Sequence, residues 1–178
     1  MIGPLEVLLF VALSAVAVAA SFHAWRTQQA YGLFRFFGFE CMAALITWNA
    51  GRWFRDPLSI PQIISWTIFV LSVALAAHGF HLLRSVGRPE RRIIEETRTV
   101  VEVGAYRYIR HPLYASLVLF GWGAFFKGVD VVSGALALAA TAFWIATARY
   151  EERYNVARFG AAYSEYMRRT WMFVPFVF

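Results

Sequence analysis

Five long apolar runs constrain the fold of this 178-residue chain more than any other feature of its sequence. An apolar stretch of about 17–25 residues can cross a bilayer as a helix, because a helix satisfies its backbone polar groups internally. Only 16% of the residues are charged, against about a quarter in soluble domains. The sequence therefore predicts an all-α integral membrane bundle of about five transmembrane helices, at roughly 3–22, 31–51, 61–83, 112–128 and 130–150.

The first apolar run also has one property of a signal peptide, because its end, "AVAVAAS", is rich in small residues. It carries Glu6 and no basic residue before Arg26, however, so the positively charged start of a signal peptide is missing. We therefore expect a retained helix. Cys41 is the single cysteine, which excludes a disulfide within the chain.

The basic residues are unevenly distributed between the two sides of this predicted bundle. The chain has a net charge of +6, and with five spans most cations fall on one side, whereas Arg52, Arg55 and Lys127 fall on the other. The positive-inside rule then predicts a cytoplasmic C-terminus and an external N-terminus, in an inner or plasma membrane. Because this rule accounts for the basic balance, we expect no nucleic acid partner. The side predicted to be cytoplasmic holds Arg26, Arg84, Arg88, Arg91, Arg92, Arg98, Arg107, Arg110, Arg149, Arg153, Arg158, Arg168 and Arg169.

The stretch "GAYRYIRHPLYAS" at 104–116 leads into the fourth apolar run. Pro112 suits the first turn of a helix, which places His111 near the N-cap and Tyr114 about one turn above it. The free N–H groups of such a helix start can donate to an anionic group. Together with Tyr106, these side chains could clasp a flat, hydrogen-bonding ligand. The alternative is an interfacial belt of aromatic and basic residues.

The tail at 151–169 is predicted to extend the last helix, to break near Gly160 and to resume as a short amphipathic turn. A pair of acids lies at the start of this tail, in "RYEERY" at 149–154. Glu151 and Glu152 are neighbours on a helix and point about 100° apart, so we expect only one to face a site. One interpretation is that this carboxylate binds the ammonium group of a ligand. The other is a local ion-pair cluster with Arg149 and Arg153.

Other polar residues in the apolar runs carry weaker signals. His78 and His81 lie near the end of the third run, where hydrogen bonding at the membrane boundary is a better interpretation than haem ligation. Glu40 is too far round its helix from Arg35 to pair with it, and either lines a pocket or satisfies a neighbouring helix. The sequence has no phosphate-binding loop and no Cys/His spacing typical of a metal site, so we expect no metal.

Two stretches, "VVEVGAYRYIRHPLYAS" and "EERYNVARFGAAYSEYMRRTWMFVP", resemble the isoprenylcysteine carboxyl methyltransferase and phospholipid methyltransferase superfamily. The resemblance covers about residues 95–178, which would be the catalytic half of a single methyltransferase-like domain spanning 1–178. The matching positions are Gly104, Tyr106, His111, Pro112, Tyr114, Glu151, Glu152, Phe159, Gly160, Tyr163, Tyr166 and Pro175.

The resemblance implies an enzyme that transfers the methyl group of S-adenosylmethionine (SAM) to a lipophilic or lipid acceptor delivered from the membrane. The cofactor pocket would be cytoplasmic and formed by the loop before the fourth helix together with the C-terminal segment. Arg110 and Glu152 would be the catalytic residues, with Arg110 orienting an anionic group. The implied cofactor-binding residues are Val101, Gly104, Tyr106, His111, Pro112, Leu113, Tyr114, Glu151 and Glu152.

The chain departs from the prenylcysteine branch at one position. That branch has an arginine about one turn before the acidic pair, where this sequence has Thr147. A prenylcysteine carboxylate is therefore less expected as the acceptor than a thiol, a small lipophilic acid or a lipid amine. Two other classes stay open: an NADPH-dependent membrane reductase related to sterol reductases, and a non-catalytic membrane protein.

Overall fold

The structure, a computed structural model, describes residues 3–26, 31–88 and 97–177, without the side chains of 23–26. The expected cytoplasmic arginines Arg91 and Arg92, and the first two residues of the proposed catalytic half, lie outside these ranges. Short 3₁₀ turns span Ala50–Arg52 and Gly104–Arg107. In the described ranges the helices are α1 (Pro4–Arg26), α2 (Tyr31–Trp48), α3 (Ile60–Ser85), α4 (Pro112–Phe125), α5 (Val131–Phe159) and α6 (Ala161–Arg169). The predicted all-α class is confirmed.

Three of the described helices, α1, α3 and α5, are long and apolar enough to cross a membrane. Helix α4 is apolar but has only 14 residues, since it ends at Phe125 rather than near 128. Helix α2 has 18 residues, includes Arg35 and Glu40, and is not among the three. The apolar helices support an integral membrane protein.

A polar side chain at the start of α5 satisfies one of the N–H donors that the first turn of a helix leaves unpaired. Asp130 precedes α5, and its Oδ1 accepts the N–H of Ser133 at 2.8 Å. Its Oδ2 accepts from Arg52 at 2.6 Å and from the indole of Trp48 at 3.1 Å. The hydrogen bonds from Ser133 and Arg52 hold the pKa of Asp130 below its ordinary value.

The described chain divides into two compact units, Met1–Val70 with Val118–Tyr150 and Leu71–Leu117 with Glu151–Phe178. In the first unit Asn49 is fully buried, and its amide donates at 3.1 Å to the carbonyl of Ala124 and to the hydroxyl of Ser133. The apolar core around it contains Leu45, Phe69, Ala124 and Ala137. The ends of α2 and α4 and the start of α5 are thereby joined.

The second unit has its own core, in which Leu83, Val101 and Tyr106 are buried against one another. Ser72 of α3 donates to the carbonyl of Ser116 in α4 at 2.8 Å. Helix α5 ends at Phe159, Gly160 adopts a φ of +61°, and the chain resumes as α6. The break expected near Gly160 is therefore confirmed, because a positive φ is readily available only to glycine.

Asp130 should make the stability of the protein depend on acid pH. Its folded pKa is lower than its unfolded one, so the ionised group stabilises above about pH 4, and this stability is lost as the pH falls through the folded pKa. We expect Asp130→Asn, which keeps an N-cap acceptor, to remove part of this dependence. Asp130→Ala should also lose the cap, at about 0.5–2 kcal/mol.

Thermal unfolding of detergent-purified protein at pH 7 and pH 3 provides the measurement. The parent should lose more stability on acidification than Asp130→Asn does. An equal loss in both proteins would contradict the assignment of Asp130 as an ionised cap.

Candidate active site

Helix α4 begins at Pro112, and His111 is its N-cap, as the sequence predicts. The carbonyl of His111 accepts the first helical bond, from Ala115 N–H, at 2.9 Å, and its own N–H donates to Met172 O at 3.2 Å. The His111 ring is buried and stacks on the Tyr114 ring, with centroids 5.6 Å apart. The imidazole is therefore held in one position by backbone and ring contacts.

A single carboxylate oxygen of Glu152 contacts two basic side chains. Oε1 lies 2.5 Å from Nε of Arg110 and 3.3 Å from Nε2 of His111. The Arg110 and Glu152 side chains are only 11% and 9% exposed. A charge-assisted bond in such surroundings is stronger than a surface pair, and loss of either partner would leave a buried charge unpaired.

Glu151 contacts a different residue at the start of α4. The hydroxyl of Tyr114 donates to its Oε2 at 2.5 Å. Both acids therefore contact residues at the start of α4, and the expectation that only one of them faces a ligand site stays a prediction. Adjacent side chains on a helix do diverge, but Arg110 and Tyr114 are four residues apart and reach the two carboxylates separately. Glu152, moreover, is paired with Arg110 rather than with Arg149 or Arg153.

Arg110 also anchors the C-terminal segment. Its Nη1 donates to the carbonyls of Met167, at 3.3 Å, and Thr170. The backbone N–H of Arg110 donates to Trp171 O at 2.8 Å, and Trp171 N–H donates to Tyr108 O at 3.0 Å. The guanidinium, which we expected to orient an anionic ligand, thus connects Glu152 to the end of α6.

Three tyrosines of the second unit, Tyr106, Tyr163 and Tyr166, are buried. The hydroxyl of Tyr166 donates to the carbonyl of Tyr106 at 2.7 Å. Burial raises the pKa of Tyr106, Tyr163 and Tyr166 above the ordinary tyrosine value, and the charge of Glu151 raises that of Tyr106 further. All three therefore remain protonated at neutral pH and can act only as neutral hydroxyl groups.

Gly104 allows the loop to approach α3 closely. Its φ is +57°, and a Cβ at this position would lie 2.5 Å from Nε2 of His78 and 2.6 Å from a methyl carbon of Leu82. The next N–H, of Ala105, donates to the same His78 nitrogen at 3.3 Å. His78 therefore makes a hydrogen bond, as expected, and a side chain at position 104 would disrupt it.

The two aliphatic residues among the expected cofactor contacts belong to the core of this unit. Val101 is buried with Leu83 and Tyr106, and Leu113 packs against them. Val101 and Leu113 therefore contact Tyr106 in this core. Among the described residues, no group of three or more His, Cys, Asp or Glu side chains could hold a metal ion.

The C-terminal stretch 170–173 contributes contacts that the sequence did not predict. Met172 accepts from the His111 backbone, and the Phe173 ring lies edge-on to the imidazole, with centroids 6.1 Å apart. Backbone pairing of this kind leaves no pattern in the side chains. The signals in the sequence were the family resemblance, which implied that the C-terminal segment joins the loop before the fourth helix, and the family-like Pro175 just beyond this stretch.

Gly104→Ala should destabilise the protein by about 2–4 kcal/mol, since it combines a left-handed backbone with overpacking against His78 and Leu82. Gly121→Ala is the matched control, because Gly121 is helical and a Cβ there meets nothing within 4 Å. The control should be neutral or stabilising by up to about 1 kcal/mol. Thermal unfolding of both variants measures the difference, and equal effects would contradict the close packing at Gly104.

Three known proteins that this chain resembles are methyltransferases by name. Methanethiol S-methyltransferase 2 of Bradyrhizobium diazoefficiens is 40% identical over 75 residues, covering 41% of this chain and 27% of that protein. Protein-S-isoprenylcysteine O-methyltransferase B of Arabidopsis thaliana is 33% identical over 84 residues, covering 47% and 43%. The methanethiol S-methyltransferase of Pseudomonas sp. (strain GM41(2012)) is 28% identical over 133 residues, covering 72% and 49%.

The matched part of the chain spans less than half the length of each of these three relatives. The model described as phospholipid methyltransferase matches residues 60–162, which include the RHPLY segment and both glutamates of the acidic pair. This is more than half of the chain and agrees with the motifs read from the sequence. The chain therefore belongs to the phospholipid methyltransferase family, within the superfamily that includes the isoprenylcysteine carboxyl methyltransferases.

Proposed function

We propose that this chain is a SAM-dependent membrane methyltransferase that acts on a lipophilic acceptor at the boundary between membrane and cytoplasm. The observation that carries the proposal is the gathering of Glu151, Glu152, His111 and Tyr114 at the start of α4. These residues lie within the region that matches the family.

The donor set fits the chemical groups of SAM. A carboxylate can bind the ammonium of its amino acid part, and Oε1 of Glu151 takes no hydrogen bond from the described residues. The first turn of α4 offers N–H donors suited to a carboxylate. The rings of His111 and Tyr114 are buried and stacked on each other, so they fix the position of this segment beside the proposed ligand.

The two acids have different roles in this proposal. Glu151 is only partly buried and is the better candidate for contact with the ligand's ammonium group. Glu152 is buried and bonded to Arg110 and His111, so it acts as a positioning residue. Arg110, whose guanidinium binds Glu152 and two carbonyls, positions α6 rather than the reacting atoms.

Bound SAM supplies an electrophilic methyl group on a positively charged sulfur. The contribution of the chain is then mainly geometric, since fixing two reactants in line can provide about 7–11 kcal/mol of the barrier. A thiolate or carboxylate acceptor needs no general base. An amine must be neutral to attack, and the tyrosines with raised pKa values cannot accept its proton because they stay protonated.

The acceptor class is narrowed by the relatives and by Thr147. Two relatives are named as S-methyltransferases of methanethiol, and one is named as an O-methyltransferase of isoprenylcysteine. The two S-methyltransferases favour sulfur as the atom that accepts the methyl group. The Thr147 hydroxyl donates to Phe143 O at 2.7 Å within its own helix and carries no charge. It cannot replace an arginine that binds a substrate carboxylate, so we favour a lipophilic thiol over a prenylcysteine acid. A small lipophilic acid and a lipid amine are the remaining classes.

We expect SAM and S-adenosylhomocysteine to stabilise the detergent-purified protein against thermal unfolding, whereas NADPH should not. A ligand at 100 times its Kd adds about 2.7 kcal/mol. Stabilisation by NADPH but by neither sulfur compound would instead favour a reductase. Indifference to all three ligands would favour a non-catalytic protein.

Substitution of the two acids should separate binding from stability. Glu151→Gln should weaken SAM binding at least tenfold and leave the ligand-free protein about as stable as the parent. Glu152→Gln should cost about 1–3 kcal/mol of stability, because it leaves Arg110 without its charged partner. Glu165→Gln is the matched control, since Glu165 is an exposed partner of Arg168 and such pairs contribute less than about 1 kcal/mol.

Isothermal titration and thermal unfolding together measure these effects. If Glu151→Gln and His111→Ala both bind SAM like the parent, the site assignment is wrong. If Glu165→Gln is as damaging as Glu152→Gln, then the buried ion pair has no special role.

We propose that the chain forms a single domain in an inner or plasma membrane. In the predicted orientation, the C-terminus and the SAM site lie in the cytoplasm, where SAM is made. A C-terminal epitope tag should be protected from protease in intact cells and become accessible after permeabilisation. An N-terminal tag should already be cleaved by protease in intact cells. Cleavage of the C-terminal tag in intact cells would reverse the proposed topology.

A further inference from the structure

A second cluster of charged residues lies in the first unit, at the end of α4 and the start of α3. It surrounds a surface cavity of about 210 Å³. The cavity is lined by Arg52, Arg55 and Lys127, together with Asp56 and Gln62. These three cations are the ones that the charge count assigned to the side opposite the other arginines, and the proposed methyl transfer does not use them.

Lys127 is the unusual member of this cluster because it is buried, at 4% exposure. Its ammonium donates to the side-chain oxygen of Gln62 at 2.8 Å and lies 3.5 Å from the centroid of the Trp66 ring. The rings of Trp53 and Phe69 are also within 6 Å. Among the described residues no carboxylate pairs with it, so a buried positive charge next to a cavity is balanced only by neutral groups.

Burial of an unpaired ammonium is costly, and aromatic faces offset only part of the cost. Burial lowers the pKa of Lys127, whereas an anion in the cavity would favour the charged form. Of the two carboxylates near the cavity, Asp130 is already bonded to Arg52 at 2.6 Å and Asp56 lies in the lining with the three cations. The cavity therefore has the electrostatic character of an anion site.

The charge balance indicates which anion fits. The lining has three cationic side chains and one carboxylate, Asp56, which leaves +2, and the pairing of Arg52 with Asp130 reduces this to +1. A single negative charge would neutralise the site. The cavity is smaller than the roughly 300–1,000 Å³ of drug-sized ligand pockets, so it suits a small group such as a phosphate, which arginine binds well.

The surroundings favour a lipid as the source of that phosphate. Phe54, Leu58 and Ile60 are 77%, 86% and 75% exposed, and they lie in the loop and first turn that lead into α3. Val129 also lines the cavity, and Val131 beside it is 88% exposed. Apolar side chains next to a cationic cavity at the end of a membrane helix can contact acyl chains while the cations bind the headgroup.

We propose that the cavity lined by Arg52, Arg55 and Lys127 binds the phosphate of an anionic membrane phospholipid. The site is separate from the proposed methyl transfer and does not depend on it. Lys127 provides a buried charge at the base of the site, Arg55 an exposed charge at its rim, and Asp56 limits the net charge to what one phosphate can neutralise.

Native mass spectrometry of the detergent-purified chain, titrated with phosphatidylglycerol, tests the proposal. Arg55→Gln should lower the affinity about fivefold, the effect of one basic residue near an anionic lipid. Asp56→Asn should raise it by a similar factor, and asparagine tolerates the positive φ of 47° found there. Arg84→Gln, which removes an exposed charge at the last turn of α3, is the matched control and should have no effect.

Unchanged affinity in both Arg55→Gln and Asp56→Asn would overturn the site. An equal loss in Arg84→Gln and Arg55→Gln would also overturn it, since binding would then follow total charge. Phosphatidylcholine, whose own ammonium cancels the phosphate charge, should bind more weakly than phosphatidylglycerol. If inorganic phosphate at the same concentration competes as well as the lipid does, the lipid is overturned as the source and a soluble phosphate takes its place.

Discussion

The candidate site depends on the buried carboxylate of Glu152, whose Oε1 contacts both Arg110 and His111. Arg110 also binds two carbonyls at the end of α6, and His111 is the N-cap of α4. The end of α5, the start of α4 and the C-terminal segment are therefore held by one set of charged hydrogen bonds. Since a buried charge is costly without its partner, these elements are expected to be ordered together.

The acidic pair shows how neighbouring residues of one type can acquire different roles. Glu152 is buried with two basic partners, whereas Glu151 is half-buried and takes one hydrogen bond, from Tyr114. The two carboxylates therefore differ in their environment although they are the same residue type. Val101 and Leu113, the aliphatic residues expected near the cofactor, pack against Tyr106 in the core of the second unit.

Each of the two units contains a buried charged side chain in addition to its apolar core, and these two charges have opposite signs. The second unit contains the acid Glu152 with its cationic partners, and the first contains the cation Lys127 with aromatic and amide partners. An ion pair satisfies the first charge within the protein. Lys127 has no counter-ion among the described residues. For this reason its buried charge indicates a ligand, whereas the paired charge of Glu152 does not.

The sequence by itself determined the elements whose signals are local. Apolar length predicted the helices, Pro112 the start of α4, and Gly160 the break before α6, because each depends on residues a few positions apart. The motifs also predicted the family and most of the residues that meet at the site. Tertiary structure alone decided that both acids are engaged, that Arg110 binds α6, and that 170–173 pairs with the loop before α4. Those contacts join residues about 40 to 60 positions apart in the chain, and many use backbone atoms, which every residue carries and no sequence pattern reveals.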